Sequence, residues 1–315
     1  MKRLNIVVLD AATLRGGLAR PSLAHEWTAY ERTETAETAE RIRGAHVVIT
    51  NKSPINAEAV AGAEKLELIA VAATGVDVID LPACRAAGVS VCNVRRYANR
   101  SVAEHVMALI LCLARGVCSH HQRVAAGEWA KSPVFSPDMG RINNIADMQL
   151  GVIGSGALGS AAAALAESMG MRVFFALRDK PDDLPRLPLP QLLADSDVVS
   201  LHLPLTAETR RMFNRRTFAM MKPGALFINT ARGGLVDSEA LVEALTSGAL
   251  GGAGVDVLPK EPPPADEPLL APDIPNLIIT PHVAWASSQA LAIFHRQLID
   301  NIEKFYAGEP QNIVA

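Results

Sequence analysis

The sequence contains few cysteines and no pair spaced for redox or metal chemistry. Only four cysteines occur in 315 residues, and none forms a Cys-x-x-Cys motif. Cys112, Cys118, His120 and His121 lie close in sequence, but their spacing matches no familiar zinc pattern. We therefore expect reduced, mostly buried thiols and no metal site.

Long apolar runs and an excess of one charge are also lacking. The apolar stretches are shorter than the roughly 20 residues that cross a bilayer. The opening segment MKRLNIVVLD reaches an acidic residue too early for a secretory signal. A net charge of −3 offers no basic surface for nucleic acid or membrane lipid. These absences predict a cytoplasmic protein without nucleic-acid or membrane partners.

What the sequence does contain is a large apolar fraction arranged in a strand–helix rhythm. Hydrophobic residues make up 49% of the chain, and its length allows about two domains. Helical stretches at residues 35–43 and 57–61 separate runs of strand length. Those predicted strands are residues 5–9, 46–50, 68–71 and 89–93. Such alternation predicts a parallel sheet covered by helices.

A glycine motif dominates the second half of the chain. A strand at residues 150–153 leads into GSGALG, a G-x-G-x-x-G, and an Ala-rich helix and a second strand follow at 160–169 and 172–176. In this context Gly154 permits the tight turn, Gly156 lets backbone N–H groups approach a pyrophosphate, and Gly159 lets the helix pack against the strand. The phosphates would lie at a helix N-terminus, which favours negative charge. The motif therefore predicts a dinucleotide site.

Further elements extend this second α/β unit. Ser101, with Glu104 three residues later, resembles a capping box that starts a helix reaching about residue 113. Residues 127–147 read as a loop, and a final helix is predicted over 288–306. Four more strands are predicted at residues 198–203, 226–229, 252–257 and 277–280.

Three polar side chains follow successive predicted strands, at the sheet edge where such folds bind ligands: Arg232, Glu261 and His282. Hydride transfer to a 2-keto acid needs a cation for the carboxylate, which a guanidinium supplies with two parallel hydrogen bonds. It needs an acid for the carbonyl oxygen, a role that suits histidine near neutral pH, and a carboxylate that favours the imidazolium. Taken singly, each has a simpler interpretation: a surface histidine, a solvated glutamate, or an arginine paired with Asp237.

These residues lie in segments that resemble the D-isomer-specific 2-hydroxyacid dehydrogenase family. The segments are NTARGGLV, GAGVDVLPKEPP and NLIITPHVAWAS, and the similarity extends to VVITNKSPI and VAATGVDVIDLPACRAAGVSVCN. Within the family the chain is most similar to glycerate dehydrogenases, also called hydroxypyruvate reductases. The resemblance implies two Rossmann-like or flavodoxin-like parallel-sheet domains. The substrate domain would be discontinuous, residues 1–97 plus 288–315, and residues 98–287 would bind the dinucleotide.

The resemblance also implies roles for individual residues and a homodimer. Arg232 would bind the substrate carboxylate and carbonyl, with His282 as the acid/base and Glu261 as its partner. Thr74 and Gly75 match a loop whose backbone N–H groups help to hold the substrate. The residues expected to contact the coenzyme, besides the three glycines, are Val102, Ala157, Leu158, Pro204, Thr209, Thr230, Ala231 and Asp256.

The sequence departs from the family pattern at the end of the second strand of the dinucleotide fold. NAD enzymes usually carry an acidic residue there, and this chain has Leu177 followed by Arg178. Arg178 with Lys180 would suit the 2′-phosphate of NADP(H), whereas the nearby Asp179 would suit NAD(H), so the sequence favours neither coenzyme. A second departure is Asp147, where relatives often have Gly.

Several functions are compatible with these motifs. The first is reduction of hydroxypyruvate or glyoxylate, to D-glycerate or glycolate. Formate dehydrogenases resemble the family but use Gln at the position of Glu261, and many phosphoglycerate dehydrogenases carry a further regulatory domain. A cofactor-sensing protein, like the transcriptional corepressors that share the fold, is the alternative outside enzymology. The sequence does not orient four further side chains expected near the pocket: Lys52, Arg95, Arg96 and Trp285.

Overall fold

A computed structural model describes residues 3–140, 142–178 and 182–315. Asp179 and Lys180, considered above as coenzyme ligands, lie outside the described residues. The chain divides into two compact units, one of Met1–Tyr97 with Ala286–Ala315 and the other of Ala98–Trp285. Each contains one sheet, and every pairing between neighbouring strands is parallel, which confirms the predicted α/β fold class.

The first unit is built on a five-stranded sheet of order β2-β1-β3-β4-β5, the doubly wound order of flavodoxin-like folds. Its strands are β1 (Leu4–Val8), β2 (His25–Ala29), β3 (Val47–Thr50), β4 (Leu68–Val71) and β5 (Ser90–Asn93). Its helices are α1 (Thr38–Ile42), α2 (Ala57–Ala61), α3 (Leu81–Ala86) and α10 (Ser288–Tyr306).

Alternating strand residues bury both faces of this sheet. Ile6, Val47 and Leu68 pack with Phe294 and Leu298 of α10 on one face. The other face carries side chains such as Val7, Val48 and Ile69, which pack with α1, α2 and α3. A parallel sheet must be covered on both sides because its strands are apolar on both, which is why the last helix of the chain completes this unit.

The second unit is built on a seven-stranded sheet of order β12-β11-β10-β9-β6-β7-β8. Its strands are β6 (Gln149–Ile153), β7 (Arg172–Ala176), β8 (Arg186–Leu187), β9 (Val198–Leu201), β10 (Ala225–Asn229), β11 (Leu250–Val255) and β12 (Leu277–Ile279). Its helices are α4 (Asn99–Ala114), α5 (Val117–Ala125), α6 (Ala157–Ser168), α7 (Leu189–Asp195), α8 (Arg215–Phe218) and α9 (Ser238–Thr246). The strand order reverses between β6 and β9, and a crevice at such a switch point is where doubly wound sheets bind ligands.

The structure overturns one local prediction and explains one departure from the family pattern. The prediction that Ser101 caps a helix is wrong, because α4 begins two residues earlier, after Ala98, and its N-cap has no side-chain hydrogen bond. The Ser101 hydroxyl instead donates to the Ala284 carbonyl at 2.7 Å. The turn before β6 gives Asp147 a φ of 67°, a left-handed conformation that glycine adopts most easily and aspartate tolerates. This geometry explains why relatives often have Gly there.

Within the described part of the chain, no single helix has the length and apolar character to cross a membrane. The pair α4 and α5 meets those criteria only jointly, and a bend of 57° separates the two helices.

Candidate active site

The glycine motif forms the turn between β6 and α6, at the switch point of the second sheet. Gly154 has a φ of 110°, and a Cβ there would strike the backbone carbonyl of His202, which follows β9. A Cβ at Gly159 would strike the carbonyl oxygen of Gly154, whereas one at Gly156 would meet open space. The turn thus packs against protein backbone at Gly154 and Gly159 and leaves free space at Gly156, where α6 starts. We call residues 154–159 the glycine cradle, and the free space beside the helix N-terminus suits a pyrophosphate.

His202 lies beneath this turn as a neutral side chain. Its ring Nε2 is 2.9 Å from the Ser200 hydroxyl, and burial lowers the pKa of His202 to about 4. This imidazole is uncharged at neutral pH, so the cradle attracts an anion through its backbone N–H groups and the N-terminus of α6.

The lowered pKa of His202 should make the protein less stable in mild acid. Because the pKa of His202 is lower in the folded protein, only the unfolded chain binds the proton between about pH 6.5 and 4. The free energy of unfolding therefore decreases as the pH falls through that range. Relative to His202→Gln, the wild type should lose up to about 1.4 kcal/mol of unfolding free energy per pH unit there. Denaturant unfolding of both proteins at pH 7 and pH 5 measures this difference. Parallel losses in the two proteins would contradict the assignment.

Leu177 and Arg178 follow β7, where a dinucleotide fold places the adenosine ribose. Leu177 is 63% exposed, and its backbone N–H donates to Leu187 at 2.8 Å. Arg178 forms an ion pair of 2.8 Å with Asp182. Asp182 also pairs with Arg186, and no motif in the sequence marks either residue.

Pro204 and Thr209, which the resemblance placed near the adenosine half, close one turn after β9. The Thr209 hydroxyl donates to the Pro204 carbonyl at 2.8 Å and accepts from the Thr206 N–H at 2.8 Å. Val102, expected beside the nicotinamide, is 5% exposed on α4. Ala157 and Leu158 are the first two residues of α6, within the glycine cradle.

The segment after β10 carries Thr230, Ala231 and Arg232. The Thr230 Oγ1 atom is buried and has no hydrogen-bond partner among the described residues. Asn229 fixes this segment, because its side chain accepts from Ala231 N at 3.0 Å and donates to Arg232 O at 3.0 Å. The Arg232 Nη1 donates to the Ala231 carbonyl at 2.8 Å. Asp237 caps α9 and lies 3.9 Å from Arg211.

The loops that carry Arg232 and Glu261 touch each other. Gly233, next to Arg232, has no room for a Cβ, because that atom would strike the backbone of Leu258. The Leu258 N–H in turn donates to Glu261 Oε1 at 3.0 Å. The glycine therefore permits the close approach of the segments that follow β10 and β11.

Glu261 and His282 form the central pair of the site. The His282 Nδ1 lies 2.5 Å from Glu261 Oε2, and the two side chains are 26% and 31% exposed. An ionised carboxylate only accepts hydrogen bonds, so Nδ1 carries the proton and Nε2 is the ring nitrogen available for exchange. His282 has a φ of 52°, a conformation rare outside glycine and typical of functional sites.

Asp256 holds the turn that carries His282. It is 1% exposed, and it accepts from Thr280 Oγ1 at 2.5 Å, from Val283 N at 2.9 Å and from Ala284 N at 2.9 Å. The His282 N–H donates to the backbone carbonyl of Asp256 at 2.8 Å. The structure thus gives Asp256 a supporting role in addition to the coenzyme contact that the resemblance implies.

Two residues of α4 support the same turn: His105, which the sequence did not single out, and Ser101, which it suggested only as a helix cap. His105 Nε2 lies 3.0 Å from Thr280 Oγ1, and Ser101, one helical turn earlier, bonds to Ala284. Because the Thr280 hydroxyl donates to Asp256, His105 must donate to Thr280. The spacing of four residues places both side chains on one face of the helix. This spacing identifies them as supporting residues only once the turn that carries His282 is known to lie against that face.

The remaining predicted residues belong to the first unit or flank the site. Thr74 and Gly75 follow β4; the Thr74 hydroxyl donates to Val94 O at 2.9 Å. The Lys52 N–H donates to the buried Asp10 carboxylate at 2.6 Å. Arg95 bonds to Asn93 and to the Ile313 carbonyl, Arg96 is exposed with a φ of 58°, and the Trp285 indole donates to His282 O at 3.0 Å.

A cavity of about 500 Å³ lies at the opposite edge of the second sheet, where β10, β11 and β12 begin. Its lining includes His120, Asn143, Asp197, Lys222 and Asn276. Of the described residues that border it, none belongs to the predicted site, so the chemistry assigned to the other edge does not involve this cavity.

The glycine cradle and the Glu261–His282 pair define a dehydrogenase with a dinucleotide-binding domain, and comparison with known proteins gives its family. Residues 107–284 match the model of the D-isomer specific 2-hydroxyacid dehydrogenase NAD binding domain. The chain belongs to this family. It is therefore an oxidoreductase whose second unit binds a nicotinamide coenzyme.

Among individual proteins, the chain is 45% identical over 310 residues to the glycerate dehydrogenase of Methylorubrum extorquens, covering 98% of both chains. It is 34% identical to the hydroxypyruvate reductase of Blautia hydrogenotrophica, covering 99% of each. The acyclic imino acid reductase Bsp5, solved in complex with NADPH and D-Arg, superimposes with a TM-score of 0.85 at 25% identity, covering 99% of this chain and 100% of that one.

Proposed function

We propose that this enzyme reduces hydroxypyruvate or glyoxylate, giving D-glycerate or glycolate, and catalyses the reverse oxidation. The observation that carries the proposal is the 2.5 Å hydrogen bond between Glu261 and His282, beside the loop of Arg232. The similarity to a glycerate dehydrogenase and a hydroxypyruvate reductase over nearly the whole chain supports the substrate class.

The side chains divide the chemistry as follows. Arg232 binds the substrate carboxylate by donating two parallel hydrogen bonds, and its charge polarises the ketone. His282 Nε2 donates a proton to the carbonyl oxygen as negative charge develops on it, and Glu261 orients the ring by accepting from Nδ1. The family resemblance assigns backbone N–H groups of Thr74 and Gly75 to substrate binding. The bound coenzyme supplies the hydride.

The residues present fit a nicotinamide coenzyme. The first-turn amides of α6, preceded by Gly156, would hold the pyrophosphate. The Thr230 Oγ1 atom is buried and has no partner among the described residues, so it would meet a polar group at the nicotinamide end, together with the Asp256 carboxylate. Thr209 and Pro204 would border the adenosine.

A turnover assay tests the proposal. Purified protein should oxidise NADPH or NADH with hydroxypyruvate and glyoxylate, and much more slowly with pyruvate. If neither coenzyme is consumed with any of the three acids, the enzymatic assignment fails and a cofactor-sensing protein on the same fold becomes the better explanation.

We further propose that NADPH is the preferred coenzyme. Leu177 offers no carboxylate to the ribose hydroxyls, and Arg178 follows it. Leu177→Asp should shift the ratio of kcat/KM values at least about tenfold toward NADH, because a carboxylate would accept from the ribose hydroxyls and repel a 2′-phosphate. Leu177→Asn is the control, because asparagine is equal in size to aspartate and carries no charge. An unchanged ratio in Leu177→Asp would place Leu177 away from the ribose.

Glu261→Gln tests the role of the carboxylate. The carboxylate accepts from Nδ1–H and so leaves Nε2 for the substrate, whereas a glutamine amide can donate to Nδ1 and reverse the tautomer. We expect kcat for reduction to fall about 10²-fold or more, with the KM for the coenzyme changed by less than about twofold. Glu309→Gln, an exposed change in the other unit, should leave kcat unchanged. An unaltered kcat in Glu261→Gln would refute the pairing in the working enzyme.

We also propose that two copies associate through the segment that follows α4. Several exposed apolar side chains concentrate there: Val117, Val124, Trp129, Val134, Phe135 and Ile142. Phe135 is the most exposed of them, at 90%. Contact between its apolar ring and water is unfavourable, and burial against a second copy would remove that contact. Sedimentation equilibrium should give twice the chain mass of 33.5 kDa.

A cytoplasmic location remains the prediction from the sequence.

A further inference from the structure

A charged cluster at the end of β7 is not used by the proposed chemistry. Arg186 Nε and Nη2 bind the two oxygens of Asp182, each at 2.6 Å, and Arg178 Nη2 binds Asp182 Oδ2 at 2.8 Å. Two guanidinium groups thus share one carboxylate, and the cluster carries a net charge of +1.

Arg186 is fixed in place by further bonds. Its Nη2 donates to Ser155 Oγ at 2.8 Å, inside the glycine motif, and its Nη1 donates to the Ala176 carbonyl at 2.6 Å, at the end of β7. Its side chain is only 8% exposed. A buried guanidinium therefore connects the pyrophosphate turn to the strand end where the ribose is expected, and Asp182 neutralises it.

Asp182 has little capacity left for another donor. A carboxylate offers about four acceptor positions. Arg186 Nε and Leu184 N, at 3.4 Å, use Oδ1, and the two guanidinium groups use Oδ2. Hydrogen bonds from Arg186 lower the pKa of Asp182 to about 2, so this group is an anion at neutral pH. It is poorly suited to accept from the hydroxyls of an NADH ribose.

We propose that Asp182 is an internal counterion, occupying a phosphate-binding position formed by Arg178 and Arg186, and that the 2′-phosphate of NADPH binds by replacing it. The inference rests on the proposed coenzyme-binding function and deepens it. A phosphate monoester carries about −1.5 to −2 charges and three strong acceptor oxygens, so it displaces a carboxylate from two guanidinium groups. A ribose hydroxyl has no charge with which to do so. Asp182 therefore limits the affinity for NADPH and sets the ratio of the two coenzymes.

Binding of coenzyme fragments tests this without turnover. Adenosine 2′,5′-bisphosphate and 5′-AMP differ only in the 2′-phosphate, and titration calorimetry on the full chain gives both affinities. Asp182→Asn removes the competing charge and should raise the bisphosphate affinity about tenfold, with 5′-AMP changed less than about twofold. Arg178→Gln should lower the bisphosphate affinity about tenfold and spare 5′-AMP. Asp195→Asn, an exposed change of equal charge at the end of α7, should alter neither.

The possible outcomes separate the inference from the proposed function. If Asp182→Asn leaves the bisphosphate affinity unchanged, or weakens 5′-AMP, Asp182 is a ribose ligand or a structural ion pair and the inference is overturned. If the wild type binds neither fragment nor either coenzyme, the coenzyme site itself fails. Arg178 is half exposed, so Arg178→Gln should fold even if Asp182→Asn does not, and an unchanged bisphosphate affinity in that variant would also overturn the inference.

Discussion

His282→Asn should lower kcat for keto-acid reduction by about 10²–10⁴-fold, because the variant keeps a polar side chain but cannot deliver a proton in the transition state. Coenzyme affinity, measured by fluorescence titration, should change by less than about threefold, because the imidazole acts in the proton transfer and not in coenzyme binding. The expected result is therefore a loss confined to kcat and to kcat/KM for the keto acid.

A matched variant excludes a general effect of losing an imidazole. His121 is exposed on α5, and His121→Asn should keep wild-type rates. If His282→Asn weakened coenzyme binding as much as it slowed turnover, the side chain would be a binding or structural group, and the acid role would have to be assigned elsewhere.

Arg232→Gln is expected to have the second large effect. Each charge-assisted hydrogen bond to a carboxylate contributes about 1.5–3 kcal/mol, so loss of two should cost about 10²–10⁴-fold in kcat/KM. Arg232→Lys should recover only part of this, because an ammonium keeps the charge and lacks the planar fork. Steady-state kinetics with glyoxylate, together with inhibition by oxalate as a carboxylate probe, measures the loss.

The control for Arg232 is Arg211→Gln, on the same unit, where the side chain is 73% exposed. This variant should retain wild-type kinetics. Equal inhibition by oxalate in wild type and Arg232→Gln would mean that the guanidinium does not hold the carboxylate, whatever happens to the rate.

Most of the fold could be predicted because its signals are local. Apolar runs bounded by glycine or polar residues identified β3, β4, β6 and β7 to within one residue at each end, and the amphipathic stripe identified α10. The glycine motif is also a local signal because its spacing lies within one turn, although the clash that requires Gly154 is with the carbonyl of His202 on a different segment. The pairing of Glu261 with His282 followed from the edge of the sheet at which parallel strands end.

What the sequence concealed depends on contacts between distant segments. The edge strands β2 and β8 lack apolar runs, and β8 has only two residues, so no periodic signal marks them. Arg186 becomes a candidate only when β8 places it beside Ser155. Ser101 satisfied a local capping pattern, yet α4 begins at Asn99 and the Ser101 hydroxyl donates to the Ala284 carbonyl, far away in sequence.

The attachment of the His282 turn to α4 has a consequence for recombining members of this family. The bonds from Ser101 to Ala284 and from His105 to Thr280 join two segments at opposite ends of the second unit. A hybrid gene whose crossover falls between residues 114 and 277 would take the helix from one parent and the turn from the other. Such hybrids should be poor catalysts even where they fold, unless both segments are inherited together.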